Sequence, residues 1–397
     1  MIAQRSRRLV AGLALAALVS GCGSMPSWMP SWSVPAPNFD WLTGRSGASK
    51  PGPLPELTAT ATATIDWQTS IGKSRSGLSP AVLPEAIYAA ALDGTLVRLD
   101  PATGRSVWRA SAGKPLSAGP GADATLVVVG TDKGDVLAFD PDGKPLWTAR
   151  VSSEVISPPI VTEGSVVVTS GDGRIYGLAA ADGKTRWGNQ RTNPPLTVRN
   201  SAGGVASRGG VFIGVAGGRL LALDSKTGTI GWDAAVATPK GATELERIAD
   251  VTSRPWIEER QACAVAYQGR LACFEILRGT PTWTRDVSSL SGISGDGTFY
   301  YVIDDAGAVH ALDRSTGASL WKQDKLAARR PVAGQLAGEF LAVVDIEGYV
   351  HLVAAKTGNY AGRLTSDGSP PTNQPIAQGA RIVWQSVSGT VYALSAR

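Results

Sequence analysis

The sequence predicts an all-β fold: an eight-bladed β-propeller of four-stranded antiparallel blades, its ring closed by an N-terminal strand in the last blade. Three observations predict it. First, a phrase of glycine, a short apolar strand and a small-apolar pair starts at Gly94, Gly134, Gly173, Gly218, Gly269, Gly307, Gly348 and Gly389, in steps of 40, 39, 45, 51, 38, 41 and 41 residues. A repeat near that period is the length of one four-stranded blade. Second, 47 Gly and 25 Pro spread along 397 residues require many short strands and tight turns, and 43% hydrophobic content supplies the core. Third, the two ends are complementary halves of one repeat. Ile65-Asp66-Trp67 ahead of Gly72 matches the end of a repeat, as in Val107-Trp108 ahead of Gly113, whereas Gly389–Ser395 is a first half that stops at Arg397 without its Trp strand. Thr64–Gln68 is therefore expected to be the outermost strand of the last blade, which fastens the termini and leaves no unpaired gap.

Taken in order, residues 1–21 carry Arg5, Arg7 and Arg8 and then the apolar run Leu9–Val19. That run is too short to span a bilayer and suits a signal peptide. Val19-Ser20-Gly21-Cys22 resembles a bacterial lipobox, so the mature chain is expected to begin at a lipidated Cys22 and to hold 376 residues. Each buried acyl methylene contributes about 0.8 kcal/mol, so two or three chains anchor a protein stably. Gly23 in place of an aspartate resembles the sorting pattern for the periplasmic leaflet of the outer membrane. Residues 22–62, rich in Pro, Ser, Ala and Thr, read as a tether. The propeller is expected to occupy 63–397. Net charge is +5, and removal of the three leader arginines leaves +2, so the charge gives no support for a nucleic-acid partner.

Residues 155–187 show the plan of one blade. Ser157–Val161 is an inner strand with prolines at its start, where no ladder N–H is needed. Val166–Ser170 and Arg174–Ala179 are the next two strands, joined by Gly171-Asp172-Gly173, and Asp182-Gly183 turns the chain into an outer strand with Trp187. Trp108, Trp147, Trp187, Trp232, Trp283 and Trp321 each lie four residues past a turn glycine, and with Trp67 they are expected to wedge between blades. Each buries about 150–250 Å². The seventh repeat has Gly362 at that position, beside Tyr360, which predicts a weaker contact at one seam.

The two long steps place extra residues after Trp187 (188–199) and after Trp232 (233–250). Both lie in connections from an outer strand to the next inner strand, and in a four-stranded antiparallel blade these all emerge on one face. Two oversized loops are thus expected side by side, the second with Thr243 as N-cap of a helical turn. Long loops on a rigid scaffold commonly carry function, so the binding surface is expected there.

Signs of chemistry are few. The two histidines, His310 and His351, each sit three residues past a repeat glycine, where other repeats have Val97, Leu137, Tyr176 or Leu221, and read as a tolerant strand position. The sequence contains no G-x-S-x-G, H-E-x-x-H, P-loop or Cys-x-x-Cys pattern, so no catalytic, cofactor or metal-ligating residues are assigned. Cys263 and Cys273 flank a hairpin turn. A three-residue loop sets them opposite one another and a two-residue loop points them to opposite faces, which leaves a disulfide and two buried thiols both open.

The lipobox, the Gly-x-x-x-Ala-Leu-Asp/Thr-Gly-x-x-x-Trp repeats and the loop Thr243-Glu244-x-x-Arg247-x-x-Asp250-Val251 together resemble the BamB family of outer-membrane β-barrel assembly lipoproteins, over roughly the whole chain after Cys22. The resemblance implies a non-enzymatic scaffold, without cofactor, in the β-barrel assembly (BAM) machinery. It would bind the POTRA domains of BamA alongside other BAM subunits, assist unfolded outer-membrane protein clients, and face the periplasm from its lipid anchor. By motif it implies partner contacts at Leu196, Val198 and Arg199, with Val198 in place of the family's second Leu, and at Glu244, Arg247 and Asp250. Thr252 stands where that motif can carry a second Asp. Quinone-cofactor dehydrogenases share the repeat and form the alternative, opposed by the roughly 330 residues of propeller and the absence of adjacent cysteines.

Overall fold

The computed structural model describes residues 51–198 and 203–397. Its strands form eight four-stranded antiparallel sheets. Seven are consecutive in sequence, with the first strand innermost, and we number these blades one to seven from Ala81 onward. Blade eight is composite: strand β1 (Ala63–Ser70) pairs antiparallel with the last strand, β32 (Thr390–Ala396), from Ala63 opposite Ala396 to Ser70 opposite Thr390. The closure predicted from the two half-repeats is present, and the fold is the eight-bladed propeller.

The core lies in the seams rather than within any one blade. Among the described residues the buried apolar side chains fall into eight clusters, each shared by two successive blades. Strand Arg219–Asp224 shows why the strands read as apolar runs instead of alternating: Leu220 enters the cluster toward blade five and Leu221 the cluster toward blade three. Both faces of a middle strand are buried, so both need apolar side chains.

The tryptophan positions carry a device that the repeat alone does not reveal. In every blade the outer strand has a β-bulge at the residue just before the tryptophan, or before Gly362 in blade seven. A bulge bends a strand and re-aims the next side chain. Here it turns each indole across the seam onto the turn glycine of the next blade. Trp67 covers Gly104, Trp187 covers Gly228 and Trp232 covers Gly279; a Cβ on these glycines would lie 2.4, 2.4 and 2.6 Å from the ring. The indole nitrogens donate to backbone carbonyls of that same turn, as Trp67 to Pro101 (3.1 Å), Trp187 to Ser225 (3.2 Å) and Trp232 to Ile276 (2.9 Å). All seven expected wedges occupy such seams.

The seam between blades seven and eight is built differently. Blade eight has no turn between its third and outer strands, because β32 and β1 are not consecutive in the chain, so no glycine awaits an indole. Residues 51–62, assigned above to the tether, lie along this seam. Thr60 and Ala61 donate to the Ala361 carbonyl at 2.8 and 3.0 Å, Gly52 donates to Ala328, and Arg363 donates to the Pro55 carbonyl. A Cβ on Gly362 would sit 2.7 Å from the Ala61 oxygen. The gap expected from the missing tryptophan is thus filled by the segment leading into β1. At the centre, the inner strands and their lead-in prolines surround a channel of about 800 Å³.

Candidate docking surface

The connections from outer to inner strands take six to ten residues, except for two: 191–203 between blades three and four, and 236–255 between blades four and five. They leave neighbouring blades on one face and touch each other. The Val198 amide donates to Asp250 Oδ2 at 2.6 Å, and the Gly217 amide, from the hairpin turn of blade four, donates to Asp250 Oδ1 at 2.8 Å. The root of the first loop is held as well, since Arg191 and Arg219 grip Asp233 at 2.9 and 2.7 Å.

Asp250, expected among the contact residues, is only 1% exposed. It ties the two loops together from below. Burial raises its carboxyl above the ordinary carboxylate range, opposed by its two backbone donors. Glu244 and Arg247 are exposed but ion-paired with one another, so their charges largely cancel at the surface. Leu196 is 42% exposed and Val198 half-buried, and Arg199 lies outside the described residues.

The second loop ends in a single capped turn. Thr243 Oγ1 accepts from the Glu246 amide at 3.3 Å, Glu246 Oε2 accepts from the Thr243 and Ala242 amides at 3.0 and 2.7 Å, and the Arg247 amide returns to the Thr243 carbonyl at 3.1 Å. This reciprocal capping box bears out Thr243 as the cap. The Thr243 amide, then that of Ala242, holds the Glu246 carboxyl below its usual range. The turn presents Leu245, 66% exposed, as the apolar tip of the loop. Sequence reasoning passed over Leu245; the available signal was a leucine inside a Thr-x-x-Glu box, where no core-facing periodicity accounts for it.

The other singled-out residues are structural. Cys263 and Cys273 are direct partners on adjacent strands and are joined as a disulfide. The histidines are not at a tolerant position. His351 is fully buried, 3.0 Å from Asp345 and 2.6 Å from the Tyr360 hydroxyl, and burial lowers its pKa. Arg329 joins the same network at Asp345 and reaches the Gly52 carbonyl at 2.7 Å. His310 pairs with Asp304 at 2.7 Å. Among the described residues no group of three or more His, Cys, Asp or Glu gathers as a metal site. Cys22 lies outside the described residues.

Residues 92–323 match the family model described as outer membrane protein assembly factor BamB. The chain is 41% identical over 349 residues to the outer membrane protein assembly factor BamB of Bordetella pertussis, covering 87% of this chain and 90% of that protein. It is 43% identical over 332 residues to the protein of that name from Nitrosomonas eutropha, with 83% and 81% covered. The crystal structure of BamB from Moraxella catarrhalis superposes with a TM-score of 0.77 at 26% identity, covering 84% of this chain and 100% of that one.

Proposed function

The chain belongs to the BamB family of outer membrane protein assembly factors, and from that premise we propose that it is the propeller subunit that docks on BamA. Its role is that of a non-enzymatic accessory of the BAM complex at the outer membrane. On the finer level, residues 1–21 are a signal peptide, Cys22 carries the lipid, and the 63–397 propeller faces the periplasm on a tether. The contact with the BamA POTRA domains is made by the paired loops 191–203 and 236–255, through Leu196, Val198, Arg199 and Leu245. Glu244 and Arg247 form a charged border, and Asp250 sets the spacing from beneath.

The observation that supports this reading most is the Val198–Asp250 hydrogen bond, which makes one surface of two loops that are separate in sequence. Exposed leucines beside an arginine suit an interface hot spot, where apolar anchors exclude water around a polar group. A single charged substitution at the centre of such a patch commonly costs more than 2 kcal/mol of binding. The test is co-purification of BamA with the lipidated chain from envelope extracts. Arg199→Glu and Leu196→Glu should each abolish recovery while the melting temperature stays unchanged; Leu196 is 42% exposed and belongs to no seam cluster. Recovery at the wild-type level from both variants would refute the docking surface. The enzymatic alternative, a quinone-cofactor dehydrogenase, has no specific observation in its favour.

A further inference from the structure

Among the described residues, the central channel holds a charge with no counter-charge. Arg254, at the entry to the inner strand of blade five, is the one charged side chain among the described residues that line it. The side chain is exposed to the channel and, among the described residues, makes no ion pair or hydrogen bond. Beside it on the wall, Thr252 Oγ1, Ser253 Oγ and Asn373 Nδ2 are sequestered without partners. Gln374 reaches from blade eight to donate to Ile293 of blade six and Gly334 of blade seven, at 3.0 and 3.1 Å. Gly292 sits between Gln374 and Ser253: a Cβ there would be 2.7 Å from one and 3.0 Å from the other. The rest of the wall is largely apolar, with Pro158, Ile160, Val205, Trp256 and Val332.

We propose that this channel is a binding site for a small molecule that pairs a carboxylate or phosphate with an apolar body, the anion held by Arg254 and the neighbouring Thr252, Ser253 and Asn373. The guanidinium offers a planar fork of donors suited to either oxyanion. The two hydroxyls and the amide are donors too, and an acceptor-rich ligand would supply the partner each lacks. Among the described residues no carboxylate lines the channel to repel an anion or to neutralise the arginine. Low-dielectric walls around a single charge concentrate its field on the channel. The volume, about 800 Å³, lies in the range of small-molecule sites. The site adjoins the roots of the two long loops, since Val198 and residues 252–254 line it, but binding of a small molecule there does not require BamA.

The test uses the purified full chain without BamA and titrates benzoate, phenyl phosphate, inorganic phosphate and benzyl alcohol by calorimetry. Saturable one-to-one binding of benzoate or phenyl phosphate, with none of neutral benzyl alcohol, is the expected result. The stronger of the two separates an organic acid from a phosphate ester, and inorganic phosphate reports how much the apolar body adds. Arg254→Gln should weaken the bound anion at least tenfold, about 1.4 kcal/mol, without changing the melting temperature, and Arg254→Lys should retain part of the affinity. Absence of saturable binding up to about 10 mM, weaker than any site of use by RT ln Kd, would overturn the proposal and leave the channel to water. Equal binding by Arg254→Gln would overturn it as well.

Discussion

The Val198 amide and the Asp250 carboxylate, 52 residues apart, meet at 2.6 Å and join the connector after blade three to the connector after blade four. A carboxylate buried for this purpose has little else to do: it reaches no solvent, and its second oxygen takes the Gly217 amide.

Replacing Asp250 by alanine therefore strands two backbone N–H groups. A buried donor left unpaired costs about 1–3 kcal/mol, so chemical denaturation should show a loss of about 2–4 kcal/mol. BamA recovery should fall several-fold as well, because the loops lose their common spacing. A variant as stable as wild type would show that the two loops do not depend on this strut.

The Trp232 wedge gives a sharper test, because its seat is known. Its ring lies between Phe212 and Phe274, at centroid distances of 5.9 and 6.1 Å, and over Gly279. Trp232→Ala should cost about 3–5 kcal/mol, the usual range for emptying an aromatic site. Gly279→Ala should also destabilise, since its Cβ would lie 2.6 Å from the indole at φ 67°; overpacking of this kind costs about 1–3 kcal/mol. With the indole gone the extra methyl has room, so the double variant should lose less than the two losses added. Strict additivity in the double-mutant cycle would mean the two residues do not meet.

These two cases also mark how far the sequence is legible. The glycine period, the tryptophan four residues later and the half-repeats at the ends all follow from chemistry local to one blade, and they yield the ring and its closure. The loop lengths likewise point to the connections after Trp187 (188–199) and after Trp232 (233–250), which the structure bounds at 191–203 and 236–255. What stayed hidden depends on neighbours across a seam. Asp250 reads as a surface acid until blade four's turn and the other loop close over it. His351 looks tolerated until Asp345 and Tyr360 surround it. The turn glycines look like ordinary turn formers, although the indole from the preceding blade excludes a side chain there. Leu245 and Arg254 carry no periodic signal, and only the assembled face and channel reveal their exposure.

The turns themselves titrate. Asp313 Oδ1 accepts from the Ser315 hydroxyl and amide and from the Thr316 hydroxyl and amide, at 2.6 to 3.0 Å, and these bonds, the Ser315 hydroxyl first, bring its pKa down to about 2. The ordinary value is 3.8, so the folded pKa is depressed and the ionised form is the one favoured by folding. The stabilising contribution is fully present above 3.8 and is lost as pH falls toward 2. Asp313→Ala should thus melt below wild type at neutral pH, and the gap should narrow steadily below pH 3.8. A gap that is the same at neutral pH and at the acid end would exclude the carboxylate as its source.

Gly362 holds the tryptophan's place in blade seven, yet its backbone is unlike the turn glycines in having no positive φ. The geometry of a turn does not demand glycine here; the Ala61 carbonyl does, since a Cβ would lie 2.7 Å from it. Gly362→Ala should lift residues 60–61 from blade seven and break the two bonds to the Ala361 carbonyl. Hydrogen exchange at the Thr60 and Ala61 amides should rise at least tenfold, about 1.4 kcal/mol of local opening, with a smaller loss of global stability because β1 keeps its own ladder to β32. Gly188→Ala supplies the control: its Cβ would meet Tyr176 at 3.7 Å, an ordinary contact, and exchange at residues 60–61 should not change. Unaltered exchange in Gly362→Ala would show that the bonds to the Ala361 carbonyl do not depend on this close approach and that the strap tolerates a methyl at the seventh seam.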